Sequence, residues 1–300
     1  MAAWLYRAAD AGLARRIAVS LGVSDPVAFA LARAFPDEAE AERHLRPQLA
    51  HVSDPFAVGG LREAAERIVR AVNQGERIAI LGDYDVDGVS STAMLVHLLR
   101  RLGADPAHFV PRRLEEGYGL SMAALDRVLA EAKPSLFIAL DCGTNSKPEI
   151  DRLKAEGVDV IVVDHHTAKE ARVGCILVNP RVNDAPEAAW QSLCTAGLVF
   201  KLVHGLLKVL RLAGDERGTQ IQVKDYLDLA ALGTIADLVP LVAENRILAA
   251  HGLRALGEAR RASLTLYDHR PAGTKAGHRI DPRVDGIRLG NIFTARQHRT

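Results

Sequence analysis

The stretch Leu81–Ser91, LGDYDVDGVSS, places Asp83, Asp85 and Asp87 at alternate positions ahead of Gly88. Carboxylates so crowded repel one another unless a cation stands among them. Ligand-type residues recur at Asp141 in ALDCG and at Asp164, His165 and His166 in VVDHH. A further carboxylate, Asp237, interrupts the apolar run ALGTIADLVPL, where burial without a partner would cost on the order of several kcal/mol. Gly233 and Pro240 on either side of it mark a bend that would aim Asp237 at the other groups. Carboxylates joined by imidazole form a hard donor set, which suits Mn²⁺ or Mg²⁺ better than a zinc thiolate cage. There are more such groups than one ion with open positions draws from a protein, so two ions about 3.5–4 Å apart, bridged by a shared carboxylate, are expected. Such a pair acidifies a bound water and clamps both oxygens of a phosphoryl centre. The chemistry expected is therefore metal-assisted hydrolysis of a phosphoester.

Two rival readings start from the same aspartates. An EF-hand loop would need a bidentate Glu at its twelfth position, where this chain has Met94, and a helix before it, where this chain has an apolar strand-like run. An aspartyl-phosphate phosphatase would use one carboxylate as nucleophile, which leaves the Asp-His-His run without a role; it stands as the weaker alternative.

The elements that would position these groups follow from periodicity. Residues 1–75 are expected to be helical, with breaks at Asp25-Pro26, Phe35-Pro36 and Asp54-Pro55, and to end in the amphipathic LREAAERIVRAVNQG capped by Gly75. From residue 76 a βα rhythm sets in. RIAILGD, AHFVPRR, SLFIALDCG, DVIVVDHH and CILVNP read as strands separated by helical runs such as STAMLVHLLRRLG, with Ser90 or Ser91 capping that helix and Gly88 turning the chain. Nearly continuous apolar strands alternating with helices imply an α/β fold, a parallel sheet sandwiched by helices, with ligands at the carboxyl ends of the strands. After Ser192 the chain is expected to be helical again. The expected organisation is a helical N-terminal extension over 1–75, a catalytic domain over 76–260 with a helical C-terminal part, and a basic, weakly patterned tail over 261–300. From Arg254 to the end, ten Lys/Arg face four Asp/Glu.

Bulk composition excludes several classes. Apolar content of 48%, charged content of 25% and a net charge of +1 are those of an ordinary globular protein with no global nucleic-acid signature. No apolar run reaches the length that spans a bilayer, and the N-terminus carries no secretion signal, so no membrane association and a cytoplasmic location are expected. Cys142, Cys175 and Cys194 are odd in number and widely spaced, which argues against a disulfide framework or a zinc site.

The motifs DYDVDG, ALDCG, VVDHH and GTIADLVPL occur in the order of the four motifs of the DHH phosphoesterase family, and the chain is identified as a member of it on those residues. LRPQLAHVSDPF, RRLEEGYGLS, CILVNPR, TAGLVFKL and VPLVAENR resemble, within that family, a bacterial single-strand-specific exonuclease, over roughly residues 5–260. The resemblance implies a 5′-to-3′ exonuclease acting on single-stranded DNA with Mn²⁺ or Mg²⁺ in repair and recombination, with a helicase or a single-strand-binding protein as partners. It implies Asp85, Asp87, Asp141, His165 and Asp237 as metal ligands, Asp141 as the bridge, and Asp83 as a further ligand or a supporting group. It implies Asp164 as the residue that orients the imidazole, His166 beside the scissile phosphate, and Arg113 as a contact to a substrate phosphate. Two departures stand out: Leu81 occupies a position where many smaller members have His, and the chain stops before the glycine-rich domain and oligonucleotide-binding barrel of the exonuclease. A truncated or frame-altered protein, with metal binding retained and exonuclease activity weak or absent, is the expectation. A stand-alone phosphodiesterase acting on short oligonucleotides or cyclic dinucleotides, and a non-catalytic replication scaffold, are the other readings left open.

Overall fold

A computed structural model describes residues 9–169 and 174–257. The expected tail, 261–300, lies outside the described residues. The chain divides into two compact units, residues 1–52 and Ser53 onward. The second begins ahead of the 75/76 boundary expected from the sequence, because the helix before the first strand packs into the sheet's core.

The first unit holds α1 (Ala11–Leu21), α2 (Asp25–Ala34) and α3 (Glu38–Leu45) around Leu13, Ile17, Leu21, Ala28, Leu31 and Ala41. Asp10 caps α1 by accepting the Gly12 and Leu13 amides, and Gly22 closes it in the left-handed conformation. Pro26 sits in the first turn of α2, where the missing N–H costs nothing, so the Asp25-Pro26 break marks a helix start.

The second unit opens with α4 (Leu61–Gln74), whose Leu61, Ala64, Ala65, Ile68, Val69 and Ala71 are buried. β1 (Ile78–Gly82), α5 (Val86–Arg101), β2 (Ala107–Phe109), α6 (Met122–Ala132), β3 (Leu136–Leu140), α7 (Lys147–Ala155), β4 (Asp159–Val163) and β5 (Ile176–Val178) follow. All five strands are parallel, in the order β2-β1-β3-β4-β5. Alternate strand residues feed two apolar layers. Ile78, Ile80, Ile138, Leu140, Ile161 and Val163 pack with α4, α5 and the helices that follow the sheet, while Ala79, Leu81, Phe137, Ala139, Val160 and Val162 pack with α6 and α7. Burial on both faces explains why the strands carry no apolar-polar alternation. β2, at the sheet edge, is only three residues long, and the expected strand AHFVPRR ends where Val110 turns to solvent ahead of Pro111.

Beyond the sheet lie α8 (Pro180–Asn183), α9 (Thr195–Leu212), α10 (Arg217–Gln220), α11 (Leu227–Ala236) and α12 (Ala243–Gly257). α5 differs from expectation at its start. It begins at Val86 with Asp85 as its cap, so Ser90 and Ser91 are not caps but buried residues inside the helix. Among the described residues no single helix is long and apolar enough to cross a membrane.

Candidate metal centre

Strand register assembles the site. Gly82 pairs with Leu140, Leu140 with Val163, and Val163 with Val178. The four strands therefore end level, and the first residues beyond them are Asp83, Asp141, Asp164 and Asn179. Their amides extend the ladder by one step: Asp83 N–H to Leu140 O (3.1 Å), Asp141 N–H to Val163 O (3.0 Å) and Asp164 N–H to Val178 O (3.0 Å). Groups far apart in the chain thus stand side by side at the carboxyl edge. The chain reverses direction across the sheet between β1 and β3, the place where parallel α/β sheets open a crevice.

Each side chain is then aimed by its neighbours. Asp85 accepts the Gly88 amide at 2.9 Å and remains exposed. Asp87, in the first turn of α5, is 1% exposed. Its Oδ2 accepts the Thr195 amide at 2.8 Å and its Oδ1 the Ala196 amide at 2.6 Å, so it caps α9 from another element. Gly88 has an ordinary helical φ, and the expected tight turn is absent. A Cβ there would lie 2.5 Å from the Asp83 carbonyl oxygen, so glycine lets the first turn of α5 close on the strand end. Asp141 is buried with φ of 63°, a left-handed turn that Asp tolerates, and its Oδ1 accepts the Thr195 hydroxyl at 2.8 Å. Asp164 accepts the Thr144, His165 and His166 amides and the His166 ring, with Nδ1 at 2.7 Å.

His165 is the centre of the arrangement. Its Nε2 lies 3.5 Å from Asp141 Oδ1, 3.5 Å from Asp237 Oδ2 and 3.8 Å from Asp87 Oδ2. Among the described residues its buried Nδ1 has no hydrogen-bond partner. Two sets of ligand atoms lie within 4.8 Å of one another: Asp141, His165 and His166, and Asp87, His165 and Asp237. Among the described residues these are the groups able to hold a metal ion.

The electrostatics mark the same spot. Burial, then the Asp237 charge, push Asp87 up to about 7. Burial, then the Asp85 charge, push Asp237 up to about 6. Asp141 lies higher still, through burial and the charges of Asp87 and Asp85. Burial and the neighbouring His166 push His165 down to about 4, which keeps its imidazole neutral and able to bind a metal. Two like charges about 4 Å apart repel by roughly 4 kcal/mol at a dielectric typical of a protein surface. Divalent cations would turn that repulsion into attraction, and the oxygen-rich set with a neutral imidazole fits Mn²⁺ or Mg²⁺. His166 behaves oppositely: the hydrogen bond its ring donates to the Asp164 carboxylate raises its pKa. Burial works against the Asp164 carboxylate, but the His166 hydrogen bond and charge hold it below the ordinary range.

Asp83, Asp141, Asp164 and His166, with Tyr118, Gly119, Asn145 and Ser146, line an open cleft of about 200 Å³. Asp83, half-buried, lies outside both ligand groups, as do exposed Asp85 and buried Asp164. Arg113 is exposed in the loop after β2, with Nη2 2.6 Å from the Tyr118 hydroxyl and the guanidinium 5.4 Å from the Tyr84 ring centre. Leu81 is fully buried in the layer beneath α6 and α7 and supplies no ligand. Three further participants are not among the site residues expected from the sequence, although Asn179 and Thr195 fall within the stretches CILVNPR and TAGLVFKL. Asn179 follows from the strand-end rule applied to β5, and its Nδ2 donates to Thr144 Oγ1 and the His166 carbonyl, both at 2.9 Å. Thr144 and Thr195 carry no local signal, since each matters through a partner distant in the chain.

Residues 77–234 match the model of the DHH family, N-terminal domain. The chain belongs to the DHH family. Among its relatives, the single-stranded-DNA-specific exonuclease RecJ of Bacillus subtilis is 37% identical over 263 residues, 87% of this chain and 32% of that protein. The structure of RecJ from Thermus thermophilus in complex with Mn²⁺ is similar with a TM-score of 0.69 at 33% identity, covering 85% of this chain and 35% of that one. The Mg²⁺ complex of RecJ from the same organism has a TM-score of 0.58 at 31% identity, covering 85% and 31%. The DHH chain described here spans about a third of the length of each of these relatives. Membership and the sandwiched parallel sheet agree with what the four motifs implied.

Proposed function

We propose that this DHH protein is a single-strand-specific DNA exonuclease of the RecJ kind, working 5′ to 3′ in repair and recombination with two Mn²⁺ or Mg²⁺ ions. The observation that carries the reading is His165 Nε2 set among oxygens of Asp87, Asp141 and Asp237, of which Asp141 also lines the cleft. Asp87, Asp141, His165 and Asp237 would hold the ions, with His165 common to the two groups, Asp141 as the proposed shared carboxylate, and Asp85 and Asp83 beside them. Bound there, the ions supply an acidified water and a clamp on the attacking and leaving oxygens.

The chain's own residues do the rest. His166, whose pKa is raised by its hydrogen bond to the Asp164 carboxylate, would present its imidazole, cationic when protonated, to the phosphate in the cleft. Arg113, steadied by Tyr118, is placed to take a neighbouring phosphate, and the paired rings of Tyr84 and Tyr118, 5.4 Å apart, offer a base a stacking surface. A helicase and a single-strand-binding protein are the partners such an activity would work with.

A second reading, a phosphodiesterase for short oligonucleotides or dinucleotides, is favoured by the small volume of the cleft. Mn²⁺-dependent release of nucleotides from 5′-ended single strands, from duplex DNA and from a dinucleotide separates the two, with Asp141→Ala as control. Preferential release from single strands supports the exonuclease. Preference for the dinucleotide promotes the second reading, and equal rates with and without the Asp141 substitution would remove the metal mechanism.

A further inference from the structure

Asp237 differs from the other candidate ligands in its origin. It is the residue that ends α11, whereas Asp141 and His165 follow strands and Asp87 lies at the start of α5. After Asp237 the backbone leaves ordinary geometry at two positions. Leu238 and Ala243 are non-glycine residues in the left-handed region, with φ of 58° and 44°, and Leu238, Leu241 and Val242 turn their side chains to solvent. Backbone held in that region persists only where surrounding contacts fix it.

Asn245, in the first turn of α12 and 1% exposed, supplies such a contact. Its Nδ2 donates to the Pro240 carbonyl at 3.0 Å and to the Ser192 carbonyl at 2.8 Å, with Ser192 Oγ at 3.3 Å. Pro240 is three residues beyond Asp237. Ser192 is three residues before Thr195, whose amide holds Asp87 and whose hydroxyl holds Asp141. Next to it, Glu244 is anchored by Lys201, from the middle of α9, and by Ser53. One amide group therefore joins the loop that carries Asp237 to the loop that orients two other carboxylates. A side chain with two N–H donors on one nitrogen is needed to bridge two carbonyls; a serine hydroxyl has one donor and a carboxylate none.

We infer that Asn245 is a positioning residue that fixes Asp237 relative to Asp87 and Asp141 by tying the loop after α11 to the loop before α9. The inference rests on the metal-centre reading above, and it names a residue that touches no ligand group itself. The test uses Asn245→Ser and Asn245→Ala in the 300-residue chain, with two readouts. Hydrogen exchange of residues 236–242 is compared without metal, and Mn²⁺ is titrated by calorimetry.

The expected result is exchange at 236–242 faster by about tenfold or more, and a weaker-binding ion whose Kd rises by about tenfold to a hundredfold while the tighter ion stays within about threefold. Unchanged exchange, equal loss at both ions, or collapse of both variants to unfolded chain would overturn it, the last by making Asn245 a support of the whole fold. A wild-type chain that binds fewer than two ions would defeat the two-ion reading, and the exchange comparison would still decide whether Asn245 ties the loops.

Discussion

Asp141 bears a heavy electrostatic burden, being 2% exposed and facing the charges of Asp87 and Asp85. Its carboxyl is raised far above the 3.8 it would have in an open chain. A carboxyl raised by folding costs nothing below its unfolded pKa. The cost grows as pH climbs toward the folded value, because the unfolded chain gains by ionising and the folded chain does not. Asp141→Asn keeps the acceptor for Thr195 and removes the ionisation. In the absence of divalent ions the variant should therefore be about 1–3 kcal/mol more stable than wild type at pH 8, with the gain gone near pH 4 and Mn²⁺ binding weakened. Denaturant unfolding at both pH values in a chelating buffer measures this, and a variant less stable at pH 8 would contradict it. Metal affinity has a related signature. His165 is already neutral above about 4, whereas Asp237 and Asp87 still hold protons up to about 6 and about 7. Protons must leave before an ion binds, so Mn²⁺ affinity should keep rising between pH 5 and pH 7. Affinity that levels off by pH 5, as for unperturbed aspartates, would show that the three carboxylates do not share one site.

At the scale of elements, the first turn of α9 does most to reconcile these charges. Its amides hold Asp87 and its first hydroxyl holds Asp141, so one helix end orients two carboxylates from two other elements. Thr195→Val keeps the shape and both amides but removes the donor to Asp141. Activity or metal affinity should fall about 10- to 100-fold with little change in Tm, and a near-wild-type rate would show that Asp141 needs no such support. Gly233, expected to mark a bend, instead marks a close approach: a Cβ there would lie 2.4 Å from Ala196 Cβ and 2.8 Å from Asp87 Oδ1. Gly233→Ala should destabilise the protein by about 1–3 kcal/mol, read by thermal unfolding, because α11 must back away from α9. These two residues also mark the limit of what is legible in the sequence. Strands β1, β3 and β4 announce themselves by apolar runs that end in Asp or His, and parallel pairing then fixes which strand-end residues become neighbours. The contribution of α9 is not legible, since TAGLVFKL reads as an ordinary buried helix start and its role exists only once Asp87 arrives from β1's far end. The start of α5 departs from the sequence reading for a related reason. Asp85 and Asp87 read as free ligands, while one caps the helix and the other sits inside its first turn.

For the molecule as a whole, every group assigned to the metal centre, together with Asn245 and Lys201, lies in the unit that begins at Ser53. The three helices of the first unit bury their own small core, with α1 capped at both ends within it. Nothing in the ligand set is drawn from them, and the hydrogen bonds that orient Asp87, Asp141 and Asp164 all come from residues between Thr144 and Ala196. The physical expectation is that metal binding is a property of the second unit alone. A fragment of residues 53–257 should fold cooperatively, since it retains both apolar layers of the sheet, and should bind Mn²⁺ with affinity within about threefold of the 300-residue chain. Calorimetric titration of the two proteins side by side makes the comparison, with circular dichroism to establish that the fragment is folded. A folded fragment that binds Mn²⁺ more than about tenfold more weakly would mean that residues outside 53–257 shape the site, and the ligand set drawn from Asp87, Asp141, His165 and Asp237 would then be incomplete.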